Sequence, residues 1–142
     1  MYTSILLPVD LGDTASCDKA KDTAVMLAEQ NGADLHVVAV VPDFGMSIVG
    51  MYFEEGFEKK ALESGSEQLS KYIKDNISTS ANVKGHILHG TIYDEILRAA
   101  DKAACDLIVM ASHRPAFKDY LLGPNAARVM RHAKQSVFIV RD

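Results

Sequence analysis

Residues able to handle an anion are concentrated between Asp106 and Ala126, in the stretch DLIVMASHRPAFKDYLLGPNA. His113, Arg114 and Lys118 fall in one loop after the apolar run Leu107 to Met110, and Gly123-Pro124-Asn125-Ala126 then opens a helix. Cationic side chains beside a helix start favour phosphate, because the first amides of a helix have no partner inside it. Pro124 suits a first helical turn but has no N–H to give, so this cradle is one donor short. A carboxylate, Asp10, ends another apolar run, Ser4 to Val9. It would repel phosphate but accept from an adenine amino group or from ribose hydroxyls, and Val9, Val40 and Val41 offer an apolar wall for a base. Together these residues fit an adenosine pocket with a phosphate end. They also fit a plainer account: Arg114 and Lys118 solvated, Asp10 capping a helix, His113 bonded to backbone. The residues alone leave both open.

The elements that must position these groups alternate along the chain. Ser4 to Val9, Leu35 to Val41 and Asp106 to Met110 are short, dense apolar runs of buried-strand type. Val83 to His89 alternates and predicts a more exposed strand, and Gln135 to Val140 predicts a fifth. Between them lie helical periods. The first runs to Asn31-Gly32 with Cys17, Ala20, Ala24, Leu27 and Ala28 on one face. The second spans Glu58 to Ile77 with Leu62, Leu69, Ile73 and Ile77 inward, weakened in its middle by Gly65. The third carries Ile92, Ile96, Ala99, Ala100 and Ala103, and Thr91 with Asp94 predicts a capping box at its start. The last spans Gly123 to Ala133, with Ala126, Val129, Met130 and Ala133 inward. Asp43 to Phe57, rich in methionine, aromatics and glycine, has no clean period and reads as a loop, either a flap over the sheet edge or a partner-binding surface.

This order predicts an α/β fold over residues 1–142. It is a single doubly wound, open, five-stranded parallel sheet of order 3-2-1-4-5, with four helices in an α/β/α sandwich. The topological switch then falls between the first and fourth strands, and ligands of such sheets bind at the carboxyl ends there. Those ends are Pro8-Val9-Asp10 and Ala111-Ser112-His113-Arg114. The fifth strand should lie at the sheet edge, where an apolar strand invites pairing with another chain.

Several classes are disfavoured by the totals. The 142 residues are 48% hydrophobic and 24% charged with net charge -4, so nothing global points to nucleic acid or an anionic membrane. No apolar run reaches about 18 residues, and the N-terminus lacks the pattern of a signal peptide. Two cysteines, Cys17 and Cys105, have no metal spacing and suit a reducing cytoplasm. Neither a P-loop nor a G-x-G-x-x-G pattern occurs. No strong catalytic or metal-binding constellation is evident. A flavodoxin-like carrier lacks an aromatic to sandwich the flavin, and a response regulator lacks an aspartate where the third strand ends in His89-Gly90.

Three segments resemble the universal stress proteins of the UspA superfamily. ILLPVD resembles the family's first strand and its aspartate. GTIYDEILRAADKAACDLIVMASHR resembles its third helix and fourth strand, and LLGPNAARVMRHAKQSVFIVRD its closing helix and strand. ATP-binding members carry glycine, two residues, glycine, nine residues, then glycine and serine or threonine. Here Ala111 and Arg114 replace the two glycines, Pro124 replaces the hydroxyl residue, and the loop is one residue shorter. SHRPAFKDYLLGPNA instead resembles the UspF-type branch, with which adenine nucleotide binding is also associated. The resemblance implies Asp10 facing adenine and Pro8, Val9 and Val40 lining the base. It implies Ala111, Ser112, His113 and Arg114 along ribose and phosphates, with Gly123, Asn125 and Ala126 at the phosphate end. It further implies ATP or AMP as ligand, Mg as an optional companion, and a homodimer through Val137 to Arg141. The expected function is a nucleotide-responsive stress protein acting on an unidentified protein partner. The alternatives are a slow ATP phosphohydrolase and an interaction module with a vestigial pocket.

Overall fold

Strands and helices alternate throughout the structure, a computed structural model that describes residues 1–42, 56–112 and 123–141. β1 (Ser4–Pro8) leads through a 3-10 turn (Thr14–Cys17) into α1 (Asp18–Asn31), then β2 (Asp34–Pro42). After α2 (Phe57–Asn76) come β3 (Val83–Gly90), α3 (Ile92–Lys102), β4 (Leu107–Ala111), α4 (Gly123–His132) and β5 (Ser136–Val140). The sheet order is β3-β2-β1-β4-β5, and every pairing is parallel. With right-handed crossovers this order puts α1 and α2 on one face and α3 and α4 on the other. α1 ends as its sequence dictates. Gly32 takes the left-handed conformation (φ 63°) and its N–H closes onto Ala28 and Glu29.

The central strands β1 and β4 are buried along their whole length, so they are continuous apolar runs rather than alternating ones. Ile5, Leu6, Leu7, Leu35, Val37, Val38, Ile108, Val109 and Met110 fill the interior with no or almost no exposure. Small residues on α1, namely Ala20, Ala24 and Ala28, with Cys17 just before it, let that helix lie close to the sheet. Gly65 does the same for α2. A Cβ there would sit 2.9 Å from Ile87 Cδ1 and 3.1 Å from its Cγ1, so this mid-helix glycine permits close approach to β3.

Two expectations are corrected. Met130 is 59% exposed, not inward. The inward face of α4 is centred on Ala126 and Val129, and Met130 falls on its margin. Thr91 does stand at the N-cap of α3, but its side chain makes no capping hydrogen bond. Asp94, three residues on, is one methylene shorter than the glutamate or glutamine that closes a capping box. Asp94 and Glu95 still place negative charge in the first turn, where the helix dipole favours it.

The sheet has one local irregularity. β1 pairs with β2 from Ser4↔Asp34 to Pro8↔Val38, but with β4 only at Ile5↔Leu107 and Leu6↔Ile108. Val9 N–H donates to the Val38 carbonyl, and the Ser4 carbonyl accepts from Asp106 N–H. By alternation, residue 8 is the next position whose N–H would face β4. It is proline and has none. The β1–β4 ladder therefore stops short, at Leu6↔Ile108.

Candidate functional site

The loop after β1 is shaped by Asp10. Its side chain is 5% exposed, and Oδ1 accepts from Gly12 N–H at 2.9 Å while its carbonyl accepts from Asp13 N–H at 3.1 Å. These are the bonds of an aspartate turn. Behind it, Asp10 N–H points at Cys17 Sγ, 3.4 Å away. Burial pushes the Cys17 thiol above its ordinary value, so it is a neutral core group rather than a nucleophile. Cys105 is buried and its thiol is likewise raised by burial.

Beside Asp10 the carboxyl end of the sheet opens into a cavity of about 300 Å³. Asp10, Leu11 and Gly12 line it on the β1 side, and Ala39, Val40, Val41 and Ile87 form its apolar wall on β2 and β3. α2 closes the remaining side with Ala61, Ser64, Gly65 and Gln68. The volume is at the lower end of what small-molecule sites enclose, and apolar walls with few polar groups are their usual make-up.

Of the expected site residues, Asp10 and Val40 lie in this cavity. Pro8 and Val9 are core residues beneath the same loop. Ala111 ends β4 and is buried, and Ser112 follows it with its N–H on the Val140 carbonyl at 2.9 Å. Both stand at the carboxyl end of β4, beyond its last pairing with β1. Gly123, Asn125 and Ala126 lie in the first turn of α4, with Asn125 half-exposed and the Ala126 side chain buried in the core. His113, Arg114 and Lys118, and residues 43–55 of the methionine-rich segment, lie outside the described residues. Among the described residues no group of three or more His, Cys, Asp or Glu could hold a metal ion. Nor is any helix there long and apolar enough to cross a membrane.

Sequence reasoning missed the contribution of α2. Ala61, Ser64, Gly65 and Gln68 share one helical face by their spacing of three and four, which was legible. Gly65 was read only as a weak point of the helix, although a glycine in mid-helix is also the signal of a close approach.

A doubly wound parallel sheet with a carboxylate-edged cavity at its carboxyl end is an architecture shared by many small α/β domains, whose ligands bind at that end. Comparison narrows the class. The model of the universal stress protein family matches residues 1–141, and the chain belongs to that family. Universal stress protein G of Shigella flexneri is 29% identical over 143 residues, covering 99% of this chain and 100% of that one. The structure of UspA from Lactobacillus plantarum aligns with a TM-score of 0.74 at 25% identity, covering 99% of this chain and 98% of that one. A universal stress protein from Archaeoglobus fulgidus, solved in complex with dAMP, aligns with a TM-score of 0.64 at 21% identity and covers 97% of each chain.

Proposed function

We propose that this protein binds an adenine nucleotide at the carboxyl end of its sheet and acts as a nucleotide-responsive stress protein rather than a fast enzyme. The observation that carries this reading is the cavity itself. A buried carboxylate with one oxygen held by its own turn stands at the edge of an apolar slot of about 300 Å³. The base occupies the slot, with Asp10 accepting from the base or ribose. Ribose and phosphates run past Ala111 and Ser112, beyond the end of the β1–β4 ladder, towards the start of α4. There Gly123, Asn125 and Ala126 offer a helix N-terminus, with Pro124 withholding one amide. His113 and Arg114 supply the positive charge, and Mg accompanies a triphosphate if one binds. The dAMP held by the related archaeal protein supports the ligand class.

Two further elements belong to this reading. The protein forms a homodimer through Val137 to Arg141. Among the described residues β5 is an edge strand whose outer side has no neighbour in the sheet, and Phe138 on it is 48% exposed. It resides in the cytoplasm, in keeping with two free, buried thiols. Nucleotide occupancy then alters the surface offered to a protein partner.

The test is calorimetric titration of nucleotide-free protein with ATP and AMP, alongside light scattering after gel filtration. Micromolar binding is expected, at least about tenfold weaker in both Asp10→Ala and Arg114→Ala. Folded protein that binds neither nucleotide would overturn the reading and leave an interaction module with a vestigial pocket. A monomer at tens of micromolar would remove the dimer alone.

A further inference from the structure

We propose that α2 carries the group that reads the base: Gln68, braced by Ser64, recognises the amino edge of adenine and makes the site selective against guanine and hypoxanthine. This rests on the adenine-nucleotide reading above and adds the residue that sets its specificity.

Three side chains in the cavity lining can make directed hydrogen bonds: Asp10, Ser64 and Gln68. An ionised carboxylate only accepts. Adenine and guanine both present N–H groups to it, so acceptance alone does not separate them. Guanine is gripped best by a carboxylate offering both oxygens to N1–H and the N2 amino group. In Asp10, Oδ1 already takes Gly12 N–H at 2.9 Å, which leaves it less available for a two-oxygen grip. Oδ2 is then the readier acceptor for a donor of the base.

A carboxamide supplies what Asp10 lacks. Its oxygen accepts from the N6 amino group while its N–H donates to a neighbouring ring nitrogen, the pairing by which Gln and Asn select adenine. Gln68 is already half committed to this geometry. Its Nε2 donates to Ser64 Oγ at 3.3 Å, one helical turn back on the same face of α2. That contact uses one amide hydrogen, and the carboxamide keeps a second hydrogen and its carbonyl oxygen for a ligand. It also restrains a long side chain, reducing the ordering cost of binding. The backbone brings this face to the slot through Gly65, whose missing Cβ lets α2 approach Ile87.

Calorimetry of nucleotide-free protein with AMP, IMP and GMP tests the proposal. Wild type should bind AMP about tenfold more tightly than IMP, which presents an oxygen in place of the amino group. Gln68→Leu should weaken AMP by about tenfold and leave IMP nearly unchanged, bringing their ratio close to one. Gln68→Glu, an acceptor without a donor, should narrow or reverse the AMP to GMP preference. Gln68 is exposed outside the core, so both variants should fold, as circular dichroism would verify. Wild-type AMP binding with an unchanged AMP to IMP ratio in Gln68→Leu overturns the role of Gln68 and leaves the nucleotide site standing. Absence of any nucleotide binding by wild type overturns both.

Discussion

Two aspartates, Asp10 and Asp106, stand at opposite ends of the sheet and have opposite surroundings. At the amino end, the Asp106 carboxylate accepts from the Thr3 amide at 2.9 Å, the Ser4 amide at 3.1 Å and the Thr3 hydroxyl at 3.1 Å. It ties the start of β1 to the start of β4. Burial alone would raise its pKa, but the Thr3 and Ser4 amides and the Thr3 hydroxyl outweigh that and hold it below the ordinary value. At the carboxyl end, Asp10 is more deeply buried, yet its carboxylate accepts one hydrogen bond among the described residues and edges a cavity. A carboxylate saturated by its own chain is a structural clamp. One left with acceptor capacity beside an apolar slot is equipped for a ligand.

The largest difference should appear on deleting each carboxylate. Asp10→Ala is expected to weaken adenine nucleotide binding by about 1.5–3 kcal/mol, the range for a hydrogen bond to a charged group. Asp106→Ala should leave affinity unchanged, because it lies at the other end of the sheet. Equal losses of affinity in the two variants would break the contrast. Stability should reverse the order. Denaturant unfolding of Asp106→Ala should show a loss of about 1 kcal/mol, kept modest by the solvent near that carboxylate. A fully stable Asp106→Ala protein would mean that the strand ladder alone fixes the β1–β4 register.

The amino end was the less legible of the two in sequence, although it is the better satisfied. Asp106 looked like the first residue of a strand, and its partners lie more than a hundred positions away, at Thr3 and Ser4. No local pattern announces such a pair. The strand order and helix faces were legible because alternating apolar runs and right-handed crossovers leave few topologies. Val9 shows where the reading thinned: it was placed on the wall of the base pocket, and it lies at 3% exposure in the core under the Asp10 loop. Pro8 was likewise taken as lining, whereas its consequence is the missing N–H that ends the β1–β4 ladder. Composition could identify both as apolar, but only strand alternation says which way each one points.

The slot at the carboxyl end can be probed without touching its polar groups. Gly65→Ala adds a Cβ that meets Ile87 Cδ1 at 2.9 Å, the far end of a flexible side chain. Replacing a mid-helix glycine should return about 0.5–1 kcal/mol, and displacing Ile87 should cost a similar amount, so stability is expected to stay nearly level. Ile87 lines the cavity, so its displacement should reduce nucleotide affinity by about threefold. Unchanged affinity together with unchanged stability would show that the base does not reach the α2 side.

Acid separates the structural groups from one another with the smallest effect. His36 and His86 bridge β2 and β3, with Nδ1 and Nε2 2.9 Å apart, ring centroids 5.2 Å apart and planes within 16°. The centroid spacing matches the nitrogen distance plus the two ring radii, so the rings meet edge to edge in a hydrogen bond rather than face to face. Burial holds both below the ordinary histidine value of 6.5. His86 and Lys84 lower His36 further while Asp34 opposes them, and Lys84 and Lys102 lower His86 further. Groups depressed in the folded state take up protons first in the unfolded chain, so their stability is complete above 6.5 and declines as pH falls below it. The Asp106 clamp has the same sign in a lower window: complete above 3.8, the ordinary aspartate value, and lost as pH falls beneath it. Thermal unfolding should therefore show a shallow decline beginning near pH 6.5 that a His36→Gln, His86→Gln double variant flattens. A second decline below about pH 4 should persist in that double variant and be weakened in Asp106→Asn. If the upper decline survives removal of both histidines, the pair is a packing contact without influence on the protonation of the fold.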